Sequence, residues 1–110
     1  MDAQLKKGVL ELCLLQCLSG QPQYGYDVIQ TMHKHFPDVT ESTFYAVLRR
    51  LDKEGAATAF RGEVSNGPAR TYYQLTGAGR ERLEQMRADW VQLQGIMAAL
   101  GIVQQRGEKL

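Results

Sequence analysis

Thr40-Glu41-Ser42-Thr43-Phe44-Tyr45-Ala46-Val47-Leu48-Arg49-Arg50-Leu51-Asp52-Lys53-Glu54-Gly55 reads as an amphipathic helix with both ends specified. Thr40 is a good N-cap, its hydroxyl accepting an otherwise orphaned amide, and Glu41 suits the positive end of the helix dipole. Gly55 tolerates a positive φ and closes a helix expected over Glu41–Glu54. At 100° per residue, Phe44, Leu48 and Leu51 form one buried stripe with Val47 beside it. The opposite face collects Ser42, Ala46, Arg49 and Lys53, with Tyr45 and Arg50 on its flanks and Thr43 in its first turn. Small and polar at its start and basic further along, that face can lie close to a phosphate-lined groove.

Upstream, two more helices are expected. Gln4–Ser19 is apolar almost all round (Leu5, Val9, Leu10, Leu12, Leu14, Leu15, Leu18), so it must be covered on more than one side. Gly20-Gln21-Pro22 ends it. Gly25–Phe36 carries a single stripe of Val28, Ile29, Met32 and Phe36, and Pro37 stops it. Downstream, Ala56–Gly62 and Ala69–Leu75 read as strands around the turn signal Asn66-Gly67, placing Arg61 and Arg70 near the tip of a hairpin. Thr76 then caps a last helix running through Leu100. Its apolar residues Leu83, Met86, Trp90, Leu93, Met97 and Leu100 step by three and four in strict alternation, the seam of a coiled coil. At about 1.5 Å per residue this rod is roughly 36 Å long, more than so small a globule needs, so the seam is expected to meet a second copy of itself. Residues 101–110 are expected to fray.

Helix, helix, turn, helix, hairpin is the order of a winged helix-turn-helix, in which one helix enters the major groove and the wing reaches phosphates or the minor groove. The expected fold class is therefore mainly α (α+β), with a DNA-binding unit over residues 1–75 and a dimerisation helix and tail over 76–110. With 110 residues the chain holds one core. A net charge of +1 excludes a bulk-basic nucleic-acid coat protein but leaves room for a local basic surface. Between Arg49 and Arg70 the excess of bases over acids is only two, so binding should rely on two such patches and weaken steeply with salt. Cys13 and Cys17, four apart on one helix face, read as small buried hydrophobes. His33 and His35 point to different sides of a helix, which argues against a metal site. No segment resembles a membrane span or a signal peptide, and a cytoplasmic location is expected. No Gly-rich phosphate loop, GxSxG, HExxH or cysteine–histidine pair is present, so neither an enzyme nor a cofactor is expected.

The sequence also resembles the PadR-type transcriptional regulators. The resemblance is carried by Leu10-Glu11, Tyr24-Gly25-Tyr26-Asp27, Thr43-Phe44-Tyr45 with Leu48, Arg50 and Leu51, Glu54-Gly55, and Gly67-Pro68-Ala69-Arg70-Thr71-Tyr72-Tyr73-Gln74-Leu75-Thr76 leading into Gly79. It covers roughly residues 8–80, and the short remainder looks like the family's compact form with a single C-terminal helix. The resemblance implies a homodimeric repressor on a palindromic operator, with the third helix and wing on DNA and the first and last helices at the dimer contact. It also implies DNA contact for Tyr45 and for Arg70 at the wing base. Ser42 stands where the family usually has glycine and Ala46 where it often has proline, so the operator sequence is not carried over.

Trp90 reads as a dimer-core residue. The resemblance adds an apolar or aromatic effector held between subunits by Trp90, Met86, Leu93 and Met97, because some compact members bind flat aromatic compounds there. Tyr24, Tyr26, Tyr72 and Tyr73 read as half-buried packing residues with wet hydroxyls. The rival reading is a winged-helix protein-interaction module without DNA binding, which the basic residues of the third helix and wing disfavour.

Overall fold

The structure, a computed structural model, describes residues 1–62 and 70–104. Its elements are α1 (Ala3–Lys6), α2 (Val9–Cys17), β1 (Gln23–Tyr24), α3 (Gly25–His35), α4 (Glu41–Lys53), β2 (Ala57–Gly62), β3 (Arg70–Leu75) and α5 (Gly77–Ala99). The three strands form one antiparallel sheet in the order β1-β3-β2. This is the winged helix-turn-helix expected from the sequence, with α3 and α4 as the helix pair and β2–β3 as the wing.

The first helix departs from expectation. A continuous helix over Gln4–Ser19 is replaced by a single turn, α1, and a separate α2. Asp2 caps α1 by accepting from the Gln4 amide at 2.8 Å. Gly8 then takes φ +84, a left-handed conformation that interrupts the helix and that glycine adopts without steric cost. Lys6 is tied to Asp38 at 3.0 Å, holding α1 against the turn before α4. The second departure is β1. Its two residues pair Gln23 with Tyr73 and Tyr24 with Tyr72, adding a third strand to the expected hairpin.

Both predicted N-caps form. Thr40 Oγ1 accepts from the Thr43 amide at 3.3 Å, and Thr76 Oγ1 accepts from Gly79 at 3.0 Å. Helix α4 ends with Gly55 at φ +80, where Ala56 N–H reaches back to Leu51 O at 2.9 Å and Gly55 N–H to Asp52 O at 3.1 Å. That pair of bonds is a Schellman closure. Helix α5 ends the same way: Gly101 stands at φ +81, and Ile102 N–H donates to Met97 O at 2.9 Å. The tail expected to fray from residue 101 is thus folded back over its first residues, while 105–110 lie outside the described residues. The turn at Asn66-Gly67 also lies outside them.

The core gathers Leu14 and Leu15 from α2 and Leu18 at its C-cap, Ile29 and Met32 from α3, and Phe44, Leu48 and Leu51 from α4, all essentially inaccessible. Tyr73 and Leu75 close it from the sheet and Leu83 from α5. Cys13 and Cys17 are half-buried free thiols packed against this cluster. Desolvation pushes both up from the usual thiol range.

Candidate nucleic-acid interface

Burying Phe44, Leu48 and Leu51 fixes which side of α4 looks outward. Ser42, Thr43, Ala46, Arg49 and Lys53 are all exposed, and Tyr45 is half-buried on the flank. Thr40 Oγ1 lies 3.0 Å from Ser42 Oγ and 2.9 Å from Thr43 Oγ1, gathering three hydroxyls at the helix start. The first-turn amides there favour an anion. One to two turns on, neither Arg49 nor Lys53 is held in an ion pair with a described carboxylate. Burial raises the Tyr45 hydroxyl pKa, and Glu41 adds to the effect, so this phenol remains a hydrogen-bond donor at neutral pH.

Arg50 sits apart from that face. Its guanidinium turns toward α2, where Nη2 meets Glu11 Oε1 at 2.8 Å, and Nη1 meets Glu54 Oε1 at 3.3 Å. Arg82 of α5 joins the same carboxylates, reaching Glu54 at 2.8 Å and Glu11 at 3.5 Å. The hydrogen bond from Arg50 to Glu11, then the surrounding charge, raises the Arg50 pKa further, while the Arg82 hydrogen bond holds the Glu54 carboxyl below its usual range. Glu54 was legible as an i,i+4 partner of Arg50. Glu11 and Arg82 were not, because their pairing exists only once three helices are packed together.

The wing arginines separate as well. Arg70 pairs with Gly62, and Arg61 with Thr71. Successive strand residues alternate sides, so the two arginines belong to opposite faces of the sheet. The Arg70 guanidinium lies 4.7 Å from the centre of the Tyr24 ring, a cation–π contact. Tyr24 is one member of a row that crosses the sheet: Phe60 to Tyr72 at 5.9 Å, Tyr72 to Tyr24 at 5.8 Å, and Tyr24 to Tyr26 at 5.9 Å between ring centres. Tyr26 is more open than expected, and Tyr73, on the other face, is buried. Burial and then Asp52 raise the Tyr73 pKa, against a smaller opposing effect of Arg49, which sets that phenol beside the basic side of α4.

Along α5 the expected seam divides. Leu83 belongs to the protein's own core and Met86 packs on its edge. Beyond them Trp90 is 41% exposed, Leu93 39% and Leu100 71%, with Met97 half-buried. Val91 and Ile96, which the seam did not include, are exposed apolar residues of the same helix. Trp90, Leu93 and Met86 line a recess of about 250 Å³ whose other wall is Gly8, Val9 and Leu12. Among the described residues no group of three or more His, Cys, Asp or Glu side chains is placed to hold a metal ion.

The model of the transcriptional regulator PadR-like family matches residues 14–85, which span the helix pair, the wing and the start of α5. The chain belongs to this family. PadR regulators bind DNA and are transcriptional regulators, not enzymes. The PadR-like transcriptional regulator of Bacillus cereus is 34% identical and superposes with a TM-score of 0.81 over 96% of this chain and all of that one (100%). A Streptococcus transcriptional regulator is 30% identical, with a TM-score of 0.80 over 91% of this chain and 99% of that one. An uncharacterised protein of Lysinibacillus sphaericus is 30% identical over 83% of this chain and 86% of its own length. No helix among the described residues is long and apolar enough to cross a membrane.

Proposed function

We propose that this PadR-like protein is a homodimeric repressor that reads a palindromic operator with α4 and the wing. The observation that carries this reading is the outward face of α4, where Ser42, Ala46, Arg49 and Lys53 stand exposed in one line with both cations clear of described carboxylates. Residues 1–75 form the reading unit and residues 76–110 the joining unit. Tyr45 and Thr43 flank this line, and Arg61 and Arg70 reach phosphates from opposite faces of the wing. The apolar side chains left open along α5, from Trp90 to Leu100, are covered by the same helix of a second copy. Leu83 is already occupied within the chain and contributes to that contact only through the core. A small aromatic effector enters the recess beside Trp90 and releases DNA by favouring a dimer whose reading helices are misplaced for adjacent grooves. The protein acts in the cytoplasm, where the DNA is.

Selection of bound duplexes from a randomised pool tests the reading. The expected product is a palindrome with half-sites about 34 Å apart. Affinity for it should fall linearly on a log–log plot against salt, and Arg49→Ala or Lys53→Ala, each removing one cation from both protomers, should each lower the slope by about 1.8 without unfolding the chain. A wild-type protein with no preference for any duplex would leave only the protein-interaction reading. Saturable quenching of the single tryptophan, Trp90, by planar aromatic compounds tests the effector; no quenching across a broad panel removes it.

A further inference from the structure

Glu11, Arg50, Glu54 and Arg82 form a closed ring of alternating charge. Each guanidinium touches both carboxylates: Glu11–Arg50 at 2.8 Å, Arg50–Glu54 at 3.3 Å, Glu54–Arg82 at 2.8 Å and Arg82–Glu11 at 3.5 Å. The ring is electrically neutral, and Glu11 is its most enclosed member, with its side chain 16% exposed. It draws one residue from α2, one from α4 and one from α5, with Glu54 at the α4 C-cap. We propose that Glu11 and Arg82 are positioning residues for DNA recognition, and that Arg50 acts through them instead of on phosphate. This rests on the DNA-reading role assigned to α4.

Mechanics give the reason. Helices α4 and α5 share little direct packing: α5 lies mainly on α2 with Leu83 in the core, and it meets the end of α4 at one junction. There Thr76 N–H donates to Ala56 O at 3.1 Å, and the Thr76 hydroxyl donates to Gly55 O. Across that junction the angle between α4 and α5 has a freedom limited only indirectly, through α2. The ring lies further along α5, at Arg82, and spans from there to the last turns of α4, acting as a strut that removes that freedom. The tilt of the long terminal helix and the pose of the reading helix therefore change together. A guanidinium suits the strut because its planar fork bridges two carboxylates at once, which a lysine ammonium at the same site would not do in the same geometry.

The test compares Arg50→Ala, Arg50→Lys, Glu11→Gln, Arg82→Gln and Arg49→Ala in the full-length protein, binding the duplex that the wild type selects. Circular dichroism confirms that each variant is folded. Expected is a loss of affinity of about two- to thirtyfold for Arg50→Ala, Glu11→Gln and Arg82→Gln, with the salt slope unchanged, whereas Arg49→Ala, lost from both protomers, lowers the slope by about 1.8. Arg50→Lys restores little, because charge without the fork does not rebuild the ring. A slope lowered by Arg50→Ala and restored by Arg50→Lys would put that side chain on phosphate and overturn the proposal while leaving the DNA reading intact. Full affinity in folded Glu11→Gln and Arg82→Gln would overturn it too. Absence of duplex binding by the wild type would instead remove the DNA reading, and the positioning role with it.

Discussion

Replacing Gly79 by alanine isolates the joint between the end of α4 and the start of α5. Gly79 sits in the first turn of α5, its amide donating to the Thr76 cap at 3.0 Å. A Cβ built there would fall inside the van der Waals shell of the Ala56 carbonyl oxygen, 2.9 Å from its carbon and 3.3 Å from Leu75 Cδ2. The obstruction is backbone, so it has no rotamer through which to escape. The same carbonyl also accepts from Thr76 N–H at 3.1 Å, so moving it strains a second bond. A clash this deep with backbone belongs at the upper end of overpacking costs, about 2–3 kcal/mol, and the better helix propensity of alanine returns at most about 1. The net loss is about 1–2 kcal/mol, which for a domain of this size lowers Tm by roughly 5–15 °C. Gly77→Ala, two residues earlier and with nothing within 4 Å of its Cβ, is the control and should leave Tm nearly unchanged. Thermal unfolding followed by circular dichroism gives both values. A Gly79→Ala protein as stable as its Gly77→Ala counterpart would refute the argument that the first turn of α5 sits directly on the backbone that follows α4.

Leu93→Glu should give folded monomers with at least tenfold weaker duplex binding, because dimerisation would bury an unpaired carboxylate; a dimer mass by light scattering would contradict the proposed seam. Cys13 and Cys17 should resist iodoacetamide at neutral pH while the protein is folded and react on unfolding, since burial raises both thiols; equal rates in both states would show them open. Asp38 and Glu54 have folded-state pKa values below their ordinary 3.8 and 4.5. Such groups add stability above the ordinary value, and that stability is lost as pH falls through the lowered one. Tm should therefore be level above about pH 5 and decline below it, with a shallower decline in Asp38→Asn and Glu54→Gln.

What the sequence made legible was local. The reading helix could be placed to within a residue because Thr40 and Gly55 mark its ends and Phe44, Leu48 and Leu51 mark its inner face. The same kind of mark stood at Gly8, yet the apolar run through it hid the break. Gln23-Tyr24 carries no periodicity, so a strand of two residues had nothing to announce it. Arg50 lies only 80° around the helix from Ser42, close enough to count with the basic face. Its orientation is set by Glu11, which is remote in sequence and shared with Arg82. The two wing arginines were assigned to one tip, but their sides depend on strand register, and that in turn depends on how the intervening turn is made.

Strand β1 has a kinetic consequence. Its partners Tyr72 and Tyr73 lie nearly half the chain downstream, so the sheet closes only after α3 and α4 have been synthesised and docked. Pairings of such wide sequence separation form late and slow the overall rate. A ribosome-bound fragment ending before Tyr72 would hold Phe44 and Leu48 in a core still open to water, which β3 and then Leu83 of α5 would seal.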